Sequence, residues 1–183
     1  MSLPEPKHPG YTIQDWKTWE GRWELIHGFA YAMTPAPSPE HQRTSLHLVR
    51  AIADALDEGK RRGGGECELF FAPIDLYLPH EESVYQPDIL VVCDPAKVTG
   101  RGIEGVPDLV AEILSPGTAS KDLVRKRWAY EAAGIPEYLI VDPEEAVAEL
   151  LRLEPEGHYH SVARVEWGAN LPILGGRISI TLG

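Results

Sequence analysis

The chain has 183 residues, 43% hydrophobic and 25% charged, with a formal net charge of −11. That balance fits one globular domain spanning residues 1–183 with a sizeable core. The acidic excess argues against a broad basic face for nucleic acid, because phosphate contacts come chiefly from Lys and Arg, but it leaves room for a local basic groove.

In chain order, residues 1–10 are proline-rich and read as a loose arm, and YTIQDWKTWEG as a short helix or turn. RWELIHGFAYAMT holds two short apolar runs joined at His27-Gly28, the pattern of a β-hairpin. A helix is expected behind PAPSPEH, with Ser38 as cap, Pro39 in the first position and an apolar face of Leu46, Val49, Ile52, Ala53 and Leu56. KRRGGGE closes that helix. Three strands are predicted next, in CELFFAPIDLYL, DILVVCD and DLVAEILS, followed by a helix capped by Ser120, ended by Gly134 and stopped by Pro136. EYLIVD reads as a buried strand, VAELLRLEPEGHYHSVARVEW as a hairpin turning at EPEGH, and RISITL as a last strand. This order predicts an α/β fold: a central mixed sheet flanked by helices, with additional β-hairpins.

No apolar stretch nears the ~18 residues of a membrane span, and MSLPEPKHPG has no signal-peptide core, so a cytoplasmic protein is expected. Cys67 and Cys93 lack CxxC spacing and read as buried thiols in a reducing compartment. His158 and His160 read as surface residues, Asp108 as a loop-end residue and Asp142 as the end of its strand.

The residue that demands an explanation is Glu112, in the apolar run Leu109, Val110, Ala111, Ile113, Leu114. A charge in a buried strand is costly unless paired or bound to a cation. Asp88 begins the preceding apolar strand, and strand parity puts Asp88 with Leu90 and Val92, and Glu112 with Val110 and Leu114. In the helix that follows, Asp122, Lys126 and Tyr130 recur every four residues on one side. Two carboxylates and a lysine together suit metal-assisted phosphodiester hydrolysis. The acids hold Mg²⁺ or Mn²⁺ through hard oxygens, and the lysine positions water or steadies the developing anion.

QPDILVVCD, GVPDLVAEILSP, KDLVRKRWAYEAAGIPEYLIVDP and SPEHQR together resemble the Uma-type putative restriction endonuclease family, formerly a domain of unknown function, in the PD-(D/E)XK nuclease-like superfamily. The resemblance runs from about residue 20 to the C-terminus and is densest from Pro87 to Pro143. It implies a restriction-endonuclease-like fold, a divalent-metal-dependent endonuclease acting on DNA, and Asp88 and Glu112 as metal ligands. The superfamily's usual lysine two residues after the acid is absent, because Leu114 stands there; the family's lysine comes from the next helix, which points to Lys126, with Lys121 as its rival. Glu40 and His41 match the family's SPEH and form a second tier of candidates, and Asp75, in the preceding strand, is a further carboxylate.

Several alternatives stand beside this reading. Glu112 and Lys126 form a structural ion pair in one of them, and the chain is then a non-catalytic binding or assembly module that keeps the fold. A phosphodiesterase acting on a small molecule is another. By analogy with enzymes that cut both strands of a duplex, a homodimer is expected. Lys60, Arg61, Arg62, Lys121, Arg125 and Arg127 are the expected basic contacts to DNA.

Overall fold

A computed structural model describes residues 10–33, 36–115 and 119–182, the side chains of 119–122 excepted. Of the expected arm, only Gly10 falls among them; its N–H donates to the Gly28 carbonyl at 3.3 Å. The short helix α1 (Ile13–Trp16) is closed by a reciprocal pair in which Thr12 and Asp15 each accept from the other's backbone. Strands β1 (Trp23–Ile26) and β2 (Phe29–Ala32) follow as the expected hairpin. His27 (φ 47°) and Gly28 (φ 80°) are both left-handed, as a two-residue turn between twisted strands demands.

Helix α2 (Pro39–Arg61) begins where expected, with Ser38 Oγ accepting from the His41 N–H at 3.1 Å. Its buried face is not quite the predicted one. Leu46 is 49% exposed, whereas Leu48 and Ile52 are fully buried. Several apolar side chains compete for this stripe, and the neighbouring sheet decides among them.

The predicted strand CELFFAPIDLYL is two strands, β3 (Glu68–Phe71) and β4 (Leu76–Leu78), which belong to different sheets. Pro73 interrupts the run, because it cannot donate to a ladder. Then come β5 (Ser83–Tyr85), β6 (Ile89–Val92), β7 (Val98–Thr99), β8 (Gly102–Glu104) and β9 (Leu109–Ile113). Helix α3 (Ala119–Ala132) starts one residue before the expected cap, so Ser120 lies inside its first turn; Gly134 ends it with φ 77°. Strands β10 (Glu137–Asp142), β11 (Val147–Leu153) and β12 (Tyr159–Glu166) match expectation, and β13 (Asn170–Ile173) with β14 (Ile178–Thr181) closes the chain.

The central sheet runs β12-β11-β10-β9-β6-β3, with β9 and β10 parallel and joined through α3, and the other neighbours antiparallel. A second sheet runs β2-β1-β5-β4-β8-β7. This mixed α/β architecture agrees with the expected fold class, although the second sheet was not foreseen. One face of the central sheet, with Ile89, Val91, Leu109 and Ala111, packs on Leu48 and Ile52 of α2 and on the β13–β14 hairpin. The other, with Leu90, Val110 and Tyr138, packs on Ala129 and Tyr130 of α3 and on Leu76 and Tyr85 of the second sheet. Among the described residues, no helix is long and apolar enough to cross a membrane.

Two polar features lock this arrangement. Glu137, buried at the start of β10, accepts from the N–H groups of Leu174 (2.6 Å) and Gly175 (2.8 Å) and from Arg152 (2.9 Å). Cys67 and Cys93, expected as thiols, form a disulfide. The β3–β6 register pairs Glu68 with Val92, so the two cysteines sit directly opposite each other just beyond it. The bond closes a span of 26 residues. By loop-closure entropy it is worth about 3.5 kcal/mol. Reductant lowers the urea-unfolding free energy by that order, and a Cys67→Ser variant shows the same loss without responding to reductant. Identical unfolding of the parent with and without reductant would rule the bond out.

Candidate active site

Strands β6 and β9 pair Ile89 with Ala111 and Leu90 with Val110. Continued by one residue, that register sets Asp88 opposite Glu112, on the face shared with Leu90 and Val110. The two acids thus meet at the end of adjacent strands, where sequence parity put them.

Each acid is held by named donors. Asp88 Oδ2 accepts the Ile113 N–H at 2.8 Å and lies 3.1 Å from His41 Nε2, which the first turn of α2 supplies. Glu112 is 8% exposed. Its Oε1 accepts from Lys126 Nζ at 2.8 Å and from the Tyr130 hydroxyl at 2.7 Å. Lys126 and Tyr130 are one helical turn apart on α3, so the expected common face exists. Asp122 belongs to that face by spacing, but its side chain lies outside the described residues, as does that of Lys121.

Lys126 also lies 3.3 Å from Glu24 Oε1. Glu24, in β1, is 3% exposed and accepts the Gln86 N–H at 3.0 Å. Sequence reasoning passed over it, although WELI carries the signal that exposed Glu112: a carboxylate inside an apolar run. Asp75 stays one residue removed, accepting from Gln86 Nε2 at 2.8 Å. Glu40 is exposed at the start of α2 and makes no hydrogen bond to either acid among the described residues. Tyr130 is both a core residue and a donor, with edge-on rings of Tyr85 and Tyr138 at 5.3 Å.

The basic contacts expected for DNA are dispersed. Lys60 pairs with Glu66 at 2.9 Å, and Arg61 and Arg62 pair with Glu58 at 2.6 and 2.7 Å. They occupy the end of α2 opposite His41, about 30 Å away along the helix axis. Arg125 stacks over the Tyr31 ring, 3.9 Å from its centroid, and Arg127 donates to the Tyr159 carbonyl at 3.1 Å.

Electrostatics follow from burial. Burial pushes the Glu112 carboxyl up to about 7, against the pull of Lys126. Burial alone would lower Lys126, but Glu112 and Glu24 outweigh it and hold the ammonium above its ordinary value. The hydrogen bond to Asp88 raises His41, against the opposing effect of burial. Three carboxylates therefore face one lysine and one histidine. Asp88 Oδ1 and Glu112 Oε2 accept no hydrogen bond among the described residues. Two hard oxygens with excess negative charge suit Mg²⁺ or Mn²⁺, which bind through one or two carboxylates and complete their shells with water and substrate phosphate. Among the described residues, no group of three or more His, Cys, Asp or Glu side chains is placed so as to hold a metal ion.

The profile of the Uma2 family, described as "Putative restriction endonuclease", matches residues 12–182. The chain belongs to the Uma2 family. An uncharacterized Synechocystis protein, sll1609, is 29% identical over 147 residues, which cover 79% of this chain and 75% of that one. A crystal structure from Anabaena variabilis, titled a putative nuclease belonging to DUF820, superposes with a TM-score of 0.70 at 17% identity, over 93% of this chain and 94% of that one. At that identity the likeness speaks to the fold: this Uma2 chain has the architecture of that protein.

Proposed function

We propose that this chain is a divalent-metal-dependent endonuclease that hydrolyses phosphodiester bonds in DNA, with Mg²⁺ or Mn²⁺ held by Asp88 and Glu112. The observation that carries the reading is the placement of these acids across β6 and β9 with Lys126 bonded to Glu112. A bound ion supplies Lewis acidity toward a phosphate oxygen and makes water a nucleophile near neutral pH. The chain's own groups do the rest. The Ile113 N–H and His41 orient Asp88; Tyr130 orients Glu112; Lys126 steadies the anion that builds on phosphorus. Two copies related by symmetry would serve a duplex, as in a homodimer. We infer a cytoplasmic setting, in which the Cys67–Cys93 bond would face reduction.

A second reading, a module that keeps the fold without cutting, draws on one observation: Lys126 is already engaged by two carboxylates. Cleavage of supercoiled plasmid and single-stranded DNA, with Mg²⁺ or Mn²⁺, separates the two. The parent cuts and Asp88→Asn does not. Silence of the parent with both ions on both substrates removes the nuclease reading, and equal cutting by the variant traces the activity to a contaminant.

A further inference from the structure

The β1–β2 hairpin meets α3 at two consecutive cations. Within the hairpin, Glu24 and Tyr31 are cross-strand partners, so their side chains leave the same face. Glu24 Oε1 lies 3.3 Å from Lys126 Nζ, and the Tyr31 ring carries the Arg125 guanidinium at 3.9 Å. One hairpin pair therefore grips one pair of helix residues.

Glu24 is itself fixed. Its Oε1 accepts the Gln86 N–H, and the Gln86 side chain is held by Asp75 on one side and Arg22 on the other. A carboxylate this deeply buried needs a polar partner, and the two proposed metal ligands do not supply one. Lys126 supplies it. A lysine two residues after the acid would be aimed by the strand itself, but Leu114 holds that position. A lysine on a helix swings on a flexible four-carbon stem and must be guided from outside.

We propose that Glu24 and Tyr31 form a two-point clamp that positions Lys126 against Glu112. Its purpose rests on the nuclease reading; its geometry does not. Tyr31 fixes this part of the helix through Arg125, and Glu24 fixes the ammonium. Lys126 has three N–H donors. Glu112 takes one of them in a hydrogen bond and Glu24 holds the ammonium at ion-pair distance, so the group keeps a donor to turn toward a phosphate oxygen or the attacking water. Glu24 is thus a positioning residue, and neither a metal ligand nor a group that touches substrate.

The test begins on the metal-free protein. The chain has six lysines, so the side-chain ammonium signals of a ¹⁵N-lysine sample can be assigned one by one. In the parent, the Lys126 ammonium gives a signal protected from exchange with water. Glu24→Gln abolishes that protection and changes Mn²⁺ affinity by less than about twofold. It also lowers kcat roughly 10- to 100-fold at unchanged KM, the scale of a small misplacement of a catalytic group. Tyr31→Leu shifts the same signal. Retained protection in Glu24→Gln overturns the clamp, and so does a loss of Mn²⁺ affinity of about tenfold or more, which would make Glu24 a ligand. An unmoved Lys126 signal in Tyr31→Leu overturns its two-point form. Should Glu24→Gln fail to fold, Glu24→Asp, which keeps the charge but retracts it by one methylene, weakens protection in the same way. If the parent cuts no DNA, the nuclease reading fails while the ammonium signals still decide the clamp.

Discussion

Glu112→Gln abolishes divalent-ion binding and lowers cleavage by on the order of 10³-fold, yet leaves the metal-free protein at least as stable as the parent at about pH 8. The two effects have opposite signs because the site is built for a charge that the rest of the core opposes. Burial pushes the Glu112 carboxyl from 4.5 up to about 7. The folded chain therefore holds that proton more tightly than the unfolded chain does. Ionised Glu112 costs stability above pH 7; the penalty shrinks as pH falls toward 4.5 and is absent below it. Its size is about 3 kcal/mol. Lys126 keeps Glu24 as a partner in the variant, so no cation is stranded. Melting of metal-free parent and variant from about pH 5 to about pH 8 shows a gap in favour of the variant that closes on the acid side. A variant that melts well below its parent at about pH 8 contradicts this account, as does one that still binds Mn²⁺ with parental affinity.

Lys126→Met has the reverse effect on stability. It destabilises the metal-free protein by about 3–5 kcal/mol, the scale of breaking a buried ion pair by removing one partner. Methionine preserves the packing of the stem but leaves Glu24 and Glu112 facing one another with no cation between them. Urea unfolding at neutral pH measures the loss, and added Mg²⁺ recovers part of it by binding the folded state alone. A cost under about 1 kcal/mol would mean that the ammonium is solvated and the pairing loose.

The acids are legible in the sequence because the cost of burying a charge is visible in one dimension. Asp88 and Glu112 stand in apolar runs of strand length, and the period of two settles which face each occupies. Lys126 and Tyr130 were legible through the period of the helix. Glu24 announces itself by the same rule, but the hairpin that holds it gives no sign of where it will dock, and the second sheet that delivers it is assembled from strands of two to four residues. Strands that short carry too few alternations to declare a face. Pro73 divides one apolar run between two sheets for a related reason: composition continues across the break and hydrogen bonding does not. The disulfide depends on the register of β3 against β6, which spacing alone does not encode. Lys60, Arg61 and Arg62 looked like a basic patch in sequence, yet they pair locally at the far end of α2.

Glu137 bears on how the molecule comes apart. Its carboxylate, on the first residue of β10, closes the turn between β13 and β14 through two backbone donors. A C-terminal hairpin ordinarily frays alone, at little free-energy cost. Here, peeling it away would strand a carboxylate beside the sheet core with only Arg152 for company. Departure of the hairpin is therefore coupled to opening of β10, the neighbour of the strand that bears Glu112. Damage at residues 174 and 175 thus removes backbone donors from a carboxylate that sits in the strand beside β9.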